Sequence, residues 1–293
     1  MGTPDDGRGR TLRPSVGIDP FLVMEGAAAL LRAGYVIAAA DYPGLGVAGQ
    51  SSYLVGASEA YRMLDSVRAA RSLVAGPGPS TPLWGHLQGG QAVLFAGQLA
   101  GSYAPELRVR ADAVAAPATE LGTLLHDDIG DISGVTIGSY AFAAYSSVYA
   151  SPYPGLSLST ILPPAGVAAT PPMADLCLFG QMLTIHALAR PLIGGYLSAD
   201  PSTTPPWSEL LAENTPASAP LGVPLFVAQG LKDELVGPAA TSAYVARVCA
   251  AGEHVVFRQY PDDDHSSISN AAVPDVLPFF ASALAGTAPA STC

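Results

Sequence analysis

The chain has little charge for its 293 residues, and positive charge is the scarcer sign. Only 13% of the residues are charged and 49% are hydrophobic, so a sizeable core can form and the disordered class is excluded. Thirteen Lys and Arg residues face 24 Asp and Glu residues, which gives a net charge of −11. Nucleic acids and anionic membrane surfaces both require clustered positive charge. We therefore expect neither as a partner, and we expect a small neutral ligand instead.

Cysteines are also few. Cys177, Cys249 and Cys293 are too scattered for a metal site or a disulfide scaffold, so we expect no metal and no cofactor. With three cysteines, one stays unpaired within a monomer, and the redox compartment is not fixed. The first thirty residues lack a positively charged region followed by an apolar run, so the sequence as given shows no signal peptide.

Long apolar runs are missing as well. No charged residue lies between Asp131 and Asp175, but prolines and serines interrupt this stretch before about twenty apolar residues accumulate. We therefore predict no transmembrane segment. The oligomeric state is not readable from the sequence.

Strand-like and helix-like segments alternate along most of the chain. Strands are predicted at 35–40, 82–86, 109–116, 224–229 and 254–260, with helices at 25–32, 58–73, 91–101, 238–250 and, interrupted by prolines, 271–284. Such alternation predicts an α/β fold with a mainly parallel sheet covered by helices on both faces. Residues 119–221 lack the alternation and are rich in Pro, Ser, Gly and Tyr. We interpret them as an insertion between core segments 1–118 and 222–293.

One strand-to-helix turn carries the first chemical signal. The run Gly85-His86-Leu87-Gln88-Gly89 has the form of a nucleophile elbow, G-x-S-x-G, with Leu87 at the central position. The glycines at 85 and 89 are expected because the backbone approaches itself closely around a strained residue. Ser58, in Gly56-Ala57-Ser58-Glu59, imitates an elbow but opens a helix, so we interpret it as an N-cap.

An acid and a histidine follow the elbow in chain order. Asp233 comes just after the strand at 224–229, and His265 comes just after the strand at 254–260. Glu234 competes with Asp233 for the acid role, and a surface histidine is the alternative interpretation of His265. Elbow, acid and histidine is the order of the α/β-hydrolase triad, and the ends of parallel strands are where such sheets build their sites.

These residues resemble the secretory lipase family of the α/β-hydrolases in its actinobacterial form. The resemblance also includes Asp41-Tyr42-Pro43-Gly44-Leu45-Gly46, Ser52-Tyr53-Leu54-Val55-Gly56, Val67-Arg68-Ala69-Ala70-Arg71 and Gly230-x-x-Asp233. It implies hydrolysis of an ester or lipid in an apolar pocket under a lid. In that reaction serine attacks the acyl carbon, His265 transfers the proton, Asp233 orients the imidazole, and the N–H groups of Gln88 and Thr3 bind the oxyanion.

The sequence departs from this family in two places. Leu87 stands where the family has its nucleophilic serine, so hydrolysis is not expected from the sequence as it stands. Gly2-Thr3 is similar to the end of the family's His-Gly-Thr segment, which closes the third strand, so the first strands are expected to be missing. An upstream start, and with it secretion, is the alternative. Without strand three, we expect an open edge between the strands at 35–40 and 82–86, or their direct pairing.

Leu87 leaves several functions open. The serine could have been altered in an active lipase or esterase that serves lipid catabolism, or lost in a binding-only pseudoenzyme. A third interpretation is a biosynthetic enzyme that uses His265 and Asp233 as a general base on an apolar small molecule, in a cyclisation or C–C bond formation. Four aromatic residues at helical spacing fit lid packing or the wall of a pocket for an apolar or aromatic ligand: Tyr140, Phe142, Tyr145 and Tyr149.

The resemblance also suggests a disulfide. Cys249 follows a helix and Cys293 is the last residue, and the two resemble a pair that the family can bridge. The family pattern therefore implies a Cys249–Cys293 bridge and a free Cys177, and a native bridge would favour secretion.

Overall fold

Four parallel strands form the central sheet. The fold comes from a computed structural model, which describes residues 15, 21, 24–45, 51–74, 76, 78–216, 219–287 and 289–293. Each strand pairs with the next in a parallel ladder, in the order β1 (Thr81–His86), β2 (Val109–Ala115), β3 (Leu225–Gly230) and β4 (Val255–Tyr260). The predicted parallel sheet is confirmed, and these four strands match their predicted positions to within one residue at each end.

Helices occupy most of the remaining described chain. Their bounds are α1 (Ala27–Arg32), α2 (Gly56–Leu73), α3 (Gln88–Tyr103), α4 (Leu121–Asp128), α5 (Ile132–Val148), α6 (Pro164–Ala174), α7 (Leu178–Ala189), α8 (Trp207–Glu213), α9 (Pro238–Ala250) and α10 (Ile268–Leu284).

The sheet is covered on both faces, as predicted. Leu225 and Val227 of β3 belong to one buried cluster with residues of α2, α3 and α9. Phe226, between them, contacts Phe279 of α10 with ring centroids 5.5 Å apart. Because successive side chains of a strand point to opposite faces, α10 packs on the face opposite to α3 and α9.

The chain divides into two compact units. The sheet unit consists of Phe21–Ala40, Gly56–Glu120 and Thr215–Cys293, and the helical unit consists of Met1–Pro20, Asp41–Val55 and Leu121–Asn214. The helices between β2 and β3, α4 to α8, all lie within the predicted insertion 119–221. The core and lid boundaries at 118/119 and 221/222 stay a prediction.

The strand predicted at 35–40 is wrong. These residues form no ladder, and Val36 is 50% exposed. An extended segment becomes a strand only when its N–H and C=O groups find a neighbouring strand. Among the described residues β1 pairs only with β2, so β1 is an edge and 35–40 has no strand beside it. Of the two outcomes expected at this place, direct pairing is therefore excluded for the residues described.

Four helices differ from their predicted bounds. Helix α1 begins two residues later than predicted, and α3 begins three residues earlier and ends two residues later. Helix α2 begins at Gly56, so Ser58 lies inside the first turn and the N-cap interpretation is wrong. The helix can begin there because Gly56 lets the backbone approach the Phe95 ring, which lies 2.2 Å from where a Cβ would stand. Helix α10 begins at Ile268 and continues through Pro274 and Pro278 without the predicted interruption.

A disulfide holds the last described segment against β4. Cys249 of α9 is bonded to Cys293, and Cys177 is free, which confirms the pairing that the resemblance implied. Residues 289–293 run along the side of β4 that faces away from β3. The Thr292 N–H donates to the Val255 carbonyl at 2.8 Å, and the Phe257 N–H donates to Thr292 Oγ1 at 2.9 Å. The segment therefore covers this edge of the sheet.

Candidate active site

Leu87 lies on a strained elbow between β1 and α3. Its backbone has φ 48° and ψ −111°, a combination that L-residues rarely adopt. The Leu87 N–H donates to the Ala115 carbonyl at 3.2 Å, and the Leu87 carbonyl accepts from the Ala118 N–H at 3.1 Å. The turn therefore has the elbow geometry that the sequence predicts, with a side chain that carries no nucleophilic atom.

Close backbone approach at the elbow requires glycine at 85 and 90. A Cβ at Gly85 would stand 2.1 Å from the Gly89 carbonyl oxygen, and a Cβ at Gly90 would stand 2.8 Å from Pro117 Cβ. A Cβ at Gly89 would meet nothing within 4 Å among the described residues. The expectation for Gly85 is confirmed, but Gly90 takes the place that we predicted for Gly89.

Asp233 is buried and held by backbone donors. Its Oδ1 accepts from the N–H groups of Leu235 at 2.9 Å and Val236 at 2.8 Å, as the chain turns after β3. The Asp233 side chain is fully buried, whereas Glu234 is exposed. Of the two acids that the sequence left open, Asp233 is the one whose orientation is fixed.

His265 lies against this carboxylate. The distance from His265 Nδ1 to Asp233 Oδ2 is 2.9 Å, and 18% of the His265 side chain is exposed. A carboxylate accepts a hydrogen bond, so Nδ1 carries the proton in the neutral ring and Nε2 keeps its lone pair. Nε2 has no partner within the described part of the chain. The pair has the form of a general base with its orienting acid.

A second imidazole and carboxylate adjoin this pair. His86 Nδ1 lies 3.0 Å from Glu25 Oε1, and 12% of the His86 side chain is exposed. The centroids of the His86 and His265 rings are 4.5 Å apart, with 38° between the ring planes. His265 therefore lies beside the elbow, because His86 immediately precedes Leu87.

The two predicted oxyanion donors differ in what the structure describes. Gln88 begins α3, and its side-chain amide donates to Glu59 Oε1 at 2.7 Å. Glu59 is fully buried in the first turn of α2, so this bond fixes the residue whose backbone N–H would face an oxyanion. Thr3 lies outside the described residues.

The sequence model of the secretory lipase family matches residues 14–162, about half of the chain. The chain belongs to the secretory lipase family. The segment matched includes the elbow and helices α1 to α5, and the resemblance read from the sequence is confirmed.

Relatives agree with this assignment. A Mycobacterium tuberculosis protein named "Probable inactive lipase" is 26% identical over 88% of this chain, and Lipase A of Moesziomyces aphidis is 24% identical over 90%. This chain spans 57% of the length of each of these two relatives. Lipase A of Candida antarctica in its closed state has a TM-score of 0.72 at 20% identity, over 100% of this chain and 66% of that one. The last likeness supports the fold alone.

The four aromatic residues of this family member make their described contacts within the helical unit. The hydroxyls of Tyr140 and Tyr145 donate to the carbonyls of Leu176 at 2.7 Å and Leu54 at 3.0 Å, and burial raises the pKa of Tyr140 to about 12. The Tyr149 hydroxyl lies within 3.2 Å of oxygens of Glu213 and Asn214. Phe142 is buried between the rings of Tyr196 and Trp207. These contacts are those of packing, and a role as pocket wall stays a prediction.

Among the described residues of this family member, no group of three or more His, Cys, Asp or Glu side chains is arranged to hold a metal ion. No helix within that part of the chain is long and apolar enough to cross a membrane.

Sequence reasoning missed the residues that support the acid and the histidine. Gln229 is fully buried in β3, and its amide donates to the carbonyls of Gly230 and Val236 at 2.9 Å, which ties the Asp233 turn together. Its carbonyl accepts from Thr241 Oγ1 at 2.6 Å. A glutamine inside an otherwise apolar strand was the available signal. Glu25 gave none, because 61 positions separate it from His86.

Proposed function

We propose that this secretory lipase family member does not hydrolyse esters through an acyl-enzyme, and that His265 and Asp233 act as a general base on a small apolar molecule. One observation carries the proposal. His265 Nδ1 lies 2.9 Å from Asp233 Oδ2, and two backbone N–H groups hold the Asp233 carboxylate, while Leu87 occupies the elbow. The name of the relative from Mycobacterium tuberculosis also favours the loss of lipase activity.

Leu87 blocks the family reaction at its first step. Acylation needs an oxygen or sulfur lone pair at the elbow, and a leucine side chain has only C–H groups. Loss of the nucleophile in a comparable triad lowers kcat by about 10⁶. A hydrophobic side chain at that position would instead contact an apolar substrate without being acylated.

The retained pair can still remove a proton. His265 Nε2 would take a proton from a hydroxyl or an activated carbon of the substrate, and Asp233 would stabilise the resulting imidazolium through Nδ1–H. The Gln88 N–H at the start of α3 would stabilise the negative charge left on a substrate oxygen. General-base catalysis of this kind contributes about 10² to 10⁴ in rate.

The family suggests the class of substrate. Secretory lipases act on esters or lipids, so the ligand proposed here is an apolar or aromatic small molecule or an acyl ester, activated for cyclisation or C–C bond formation. The net charge of −11 agrees with a neutral ligand rather than a polyanion.

The test compares the protein with His265→Ala and Asp233→Asn, using the intermediate of the pathway encoded by neighbouring genes. Conversion should be lost in His265→Ala and reduced in Asp233→Asn, while binding of the intermediate survives in both. His186→Ala on α7 is the matched control and should convert normally. Equal conversion by the protein and His265→Ala would contradict base catalysis. Binding without conversion by any of these proteins would indicate a binding-only protein.

A further inference from the structure

The His86 ring and its carboxylate form a second imidazole pair against the proposed base. The two rings meet at 4.5 Å, and each ring has its Nδ1 on a different carboxylate, Glu25 for His86 and Asp233 for His265. His86 Nε2 is buried and has no hydrogen-bond partner among the described residues. The whole arrangement lies in the sheet unit.

Glu25 is itself fixed to β1 at two points. Its backbone carbonyl accepts from Trp84 Nε1 at 3.1 Å, and its carboxylate meets His86, two residues along the strand. The next residue, Gly26, donates its N–H to Asn270 Oδ1 at 3.2 Å. A Cβ at Gly26 would stand 2.6 Å from Val273 Cγ2, so the backbone lies close against α10. Glu25 therefore reaches His86 from a backbone that both β1 and α10 hold.

A single hydrogen bond leaves an imidazole free to tilt. The bond to Asp233 fixes Nδ1 of His265, but the ring can still swing about that contact and carry Nε2 away from a substrate. A second ring packed against its face removes this freedom, and aromatic pairs at 4.5 to 7 Å separation contribute measurable packing energy. His86 can supply the constraint only while its own Nδ1 is held by Glu25.

From this geometry we infer that His86 is a positioning residue for His265, and that Glu25 acts through His86. Neither residue needs to touch the substrate. A catalytic consequence of this role rests on the proposed function. The test measures proton exchange at the His265 ring and requires no substrate.

The test uses proton NMR of the imidazole Nδ1–H groups, whose signals move far downfield when they are bonded to a carboxylate. The protein should show two such signals. The signal that disappears in His265→Phe is assigned to His265, and the one that disappears in His86→Phe is assigned to His86. In His86→Ala, exchange of the His265 proton with solvent should be about tenfold faster, the factor expected for loss of one aromatic contact. In His86→Phe a ring remains but no hydrogen bond to Glu25 holds it, so the His265 proton should exchange faster, as in Glu25→Ala.

Glu25 offers a matched pair that leaves His86 in place. Glu25→Gln keeps a carbonyl oxygen that accepts from His86 Nδ1–H, so the His265 proton should exchange as in the unaltered protein. Glu25→Ala releases His86, and exchange at His265 should accelerate as in His86→Ala. Circular dichroism checks that each variant is folded, and if His86→Ala does not fold, the Glu25 pair decides.

The outcomes separate the two proposals. Unchanged exchange at His265 in folded His86→Ala or in folded Glu25→Ala would overturn the positioning role and leave base catalysis standing. Faster exchange in those variants, together with conversion that does not depend on His265, would support the positioning role and overturn base catalysis. Absence of the His265 signal from the unaltered protein would overturn both.

Discussion

At the scale of single residues, Leu87 keeps the backbone turn of a nucleophile elbow but lacks the nucleophilic atom. Leu87 lies on the strained turn of an elbow, His265 Nδ1 lies 2.9 Å from Asp233 Oδ2, and α3 begins directly after Leu87. We expect Leu87→Ser to hydrolyse p-nitrophenyl esters measurably, at a rate below that of an intact lipase. Loss of one oxyanion donor alone costs about 10² to 10³ in rate, so the recovery would be lower by this factor without the donor predicted at Thr3.

Two controls accompany this substitution. Leu87→Ala relieves the same bulk without adding a nucleophile and should remain inactive. Leu87→Ser combined with His265→Ala should lose what the serine restored. Ester turnover by the unaltered protein above the His265→Ala background would contradict Leu87 as the nucleophile position.

Asp112 makes the stability of the protein depend on pH. It is fully buried in β2 without a hydrogen-bond partner among the described residues, and burial raises its pKa well above the ordinary value, with a smaller contribution from Glu253. The folded state therefore holds a proton that the unfolded state releases. Stability is complete below the ordinary carboxyl pKa and falls as pH rises toward the raised one, by up to about 1.4 kcal/mol per pH unit.

Asp112→Asn tests this dependence. The amide is neutral at every pH, so the free energy of unfolding from urea titrations should lose its decline above pH ~4. Asp262→Asn, at an exposed aspartate, is the control and should keep the decline. Parallel curves for Asp112→Asn and the unaltered protein would contradict a buried neutral carboxyl.

At the scale of elements, the sequence correctly predicted the strands and helices whose formation follows from the local pattern of apolar residues. Four strands and α9 match because apolar runs bounded by Gly and Pro are paired in the sheet or packed on it. Residues 35–40 have the same pattern, but strand formation depends on a neighbour that no local sequence reports. In α10, Val273, Val276 and Phe279 are buried, and their packing outweighs the cost of two prolines.

The residues of the candidate site likewise include some that the sequence predicts and some that it does not. Asp233 and His265 were predictable because each follows a strand, and parallel strands bring their ends together. The positions of Glu25, Gln229 and Glu59 were not, because their partners are set by packing between elements distant in the chain. The sequence thus identified the candidate acid and histidine, and only the structure identified the residues that hold them.

The Cys249–Cys293 disulfide is the element-scale feature with the clearest energetic prediction. It joins α9 to the segment beside β4 across 44 positions. Closing a loop of this length is worth about 4 kcal/mol in the chain-entropy account. Cys293→Ser should lower the free energy of unfolding by about 3 to 4 kcal/mol in urea titrations under oxidising conditions. Cys177→Ser should change nothing, and a loss equal to that of Cys293→Ser would show that the bridge is not the cause.

At the scale of the whole molecule, the charge distribution limits what the protein binds. Lys232 is the single lysine, and it pairs with Asp262 at 3.0 Å, while Arg68, Arg247 and Arg258 each pair with a carboxylate. We expect no binding to duplex DNA or to anionic vesicles, even at low ionic strength where screening is weakest. Gel-shift and vesicle sedimentation experiments check this, and binding that weakens as salt is added would contradict it.

The segment 289–293 along β4 also limits how copies of this protein could associate by pairing of their sheet edges. Ser291 and Thr292 present side-chain hydroxyls to the N–H groups of Val255 and Phe257, which a further strand would otherwise take. Among the described residues, β1 at the opposite end has no such cover. Growth of a fibril by strand addition needs two open ends per molecule, whereas one open end permits a single partner. For the part of the chain that the structure describes, association through this sheet would therefore terminate at a pair, for as long as the disulfide keeps the other end closed.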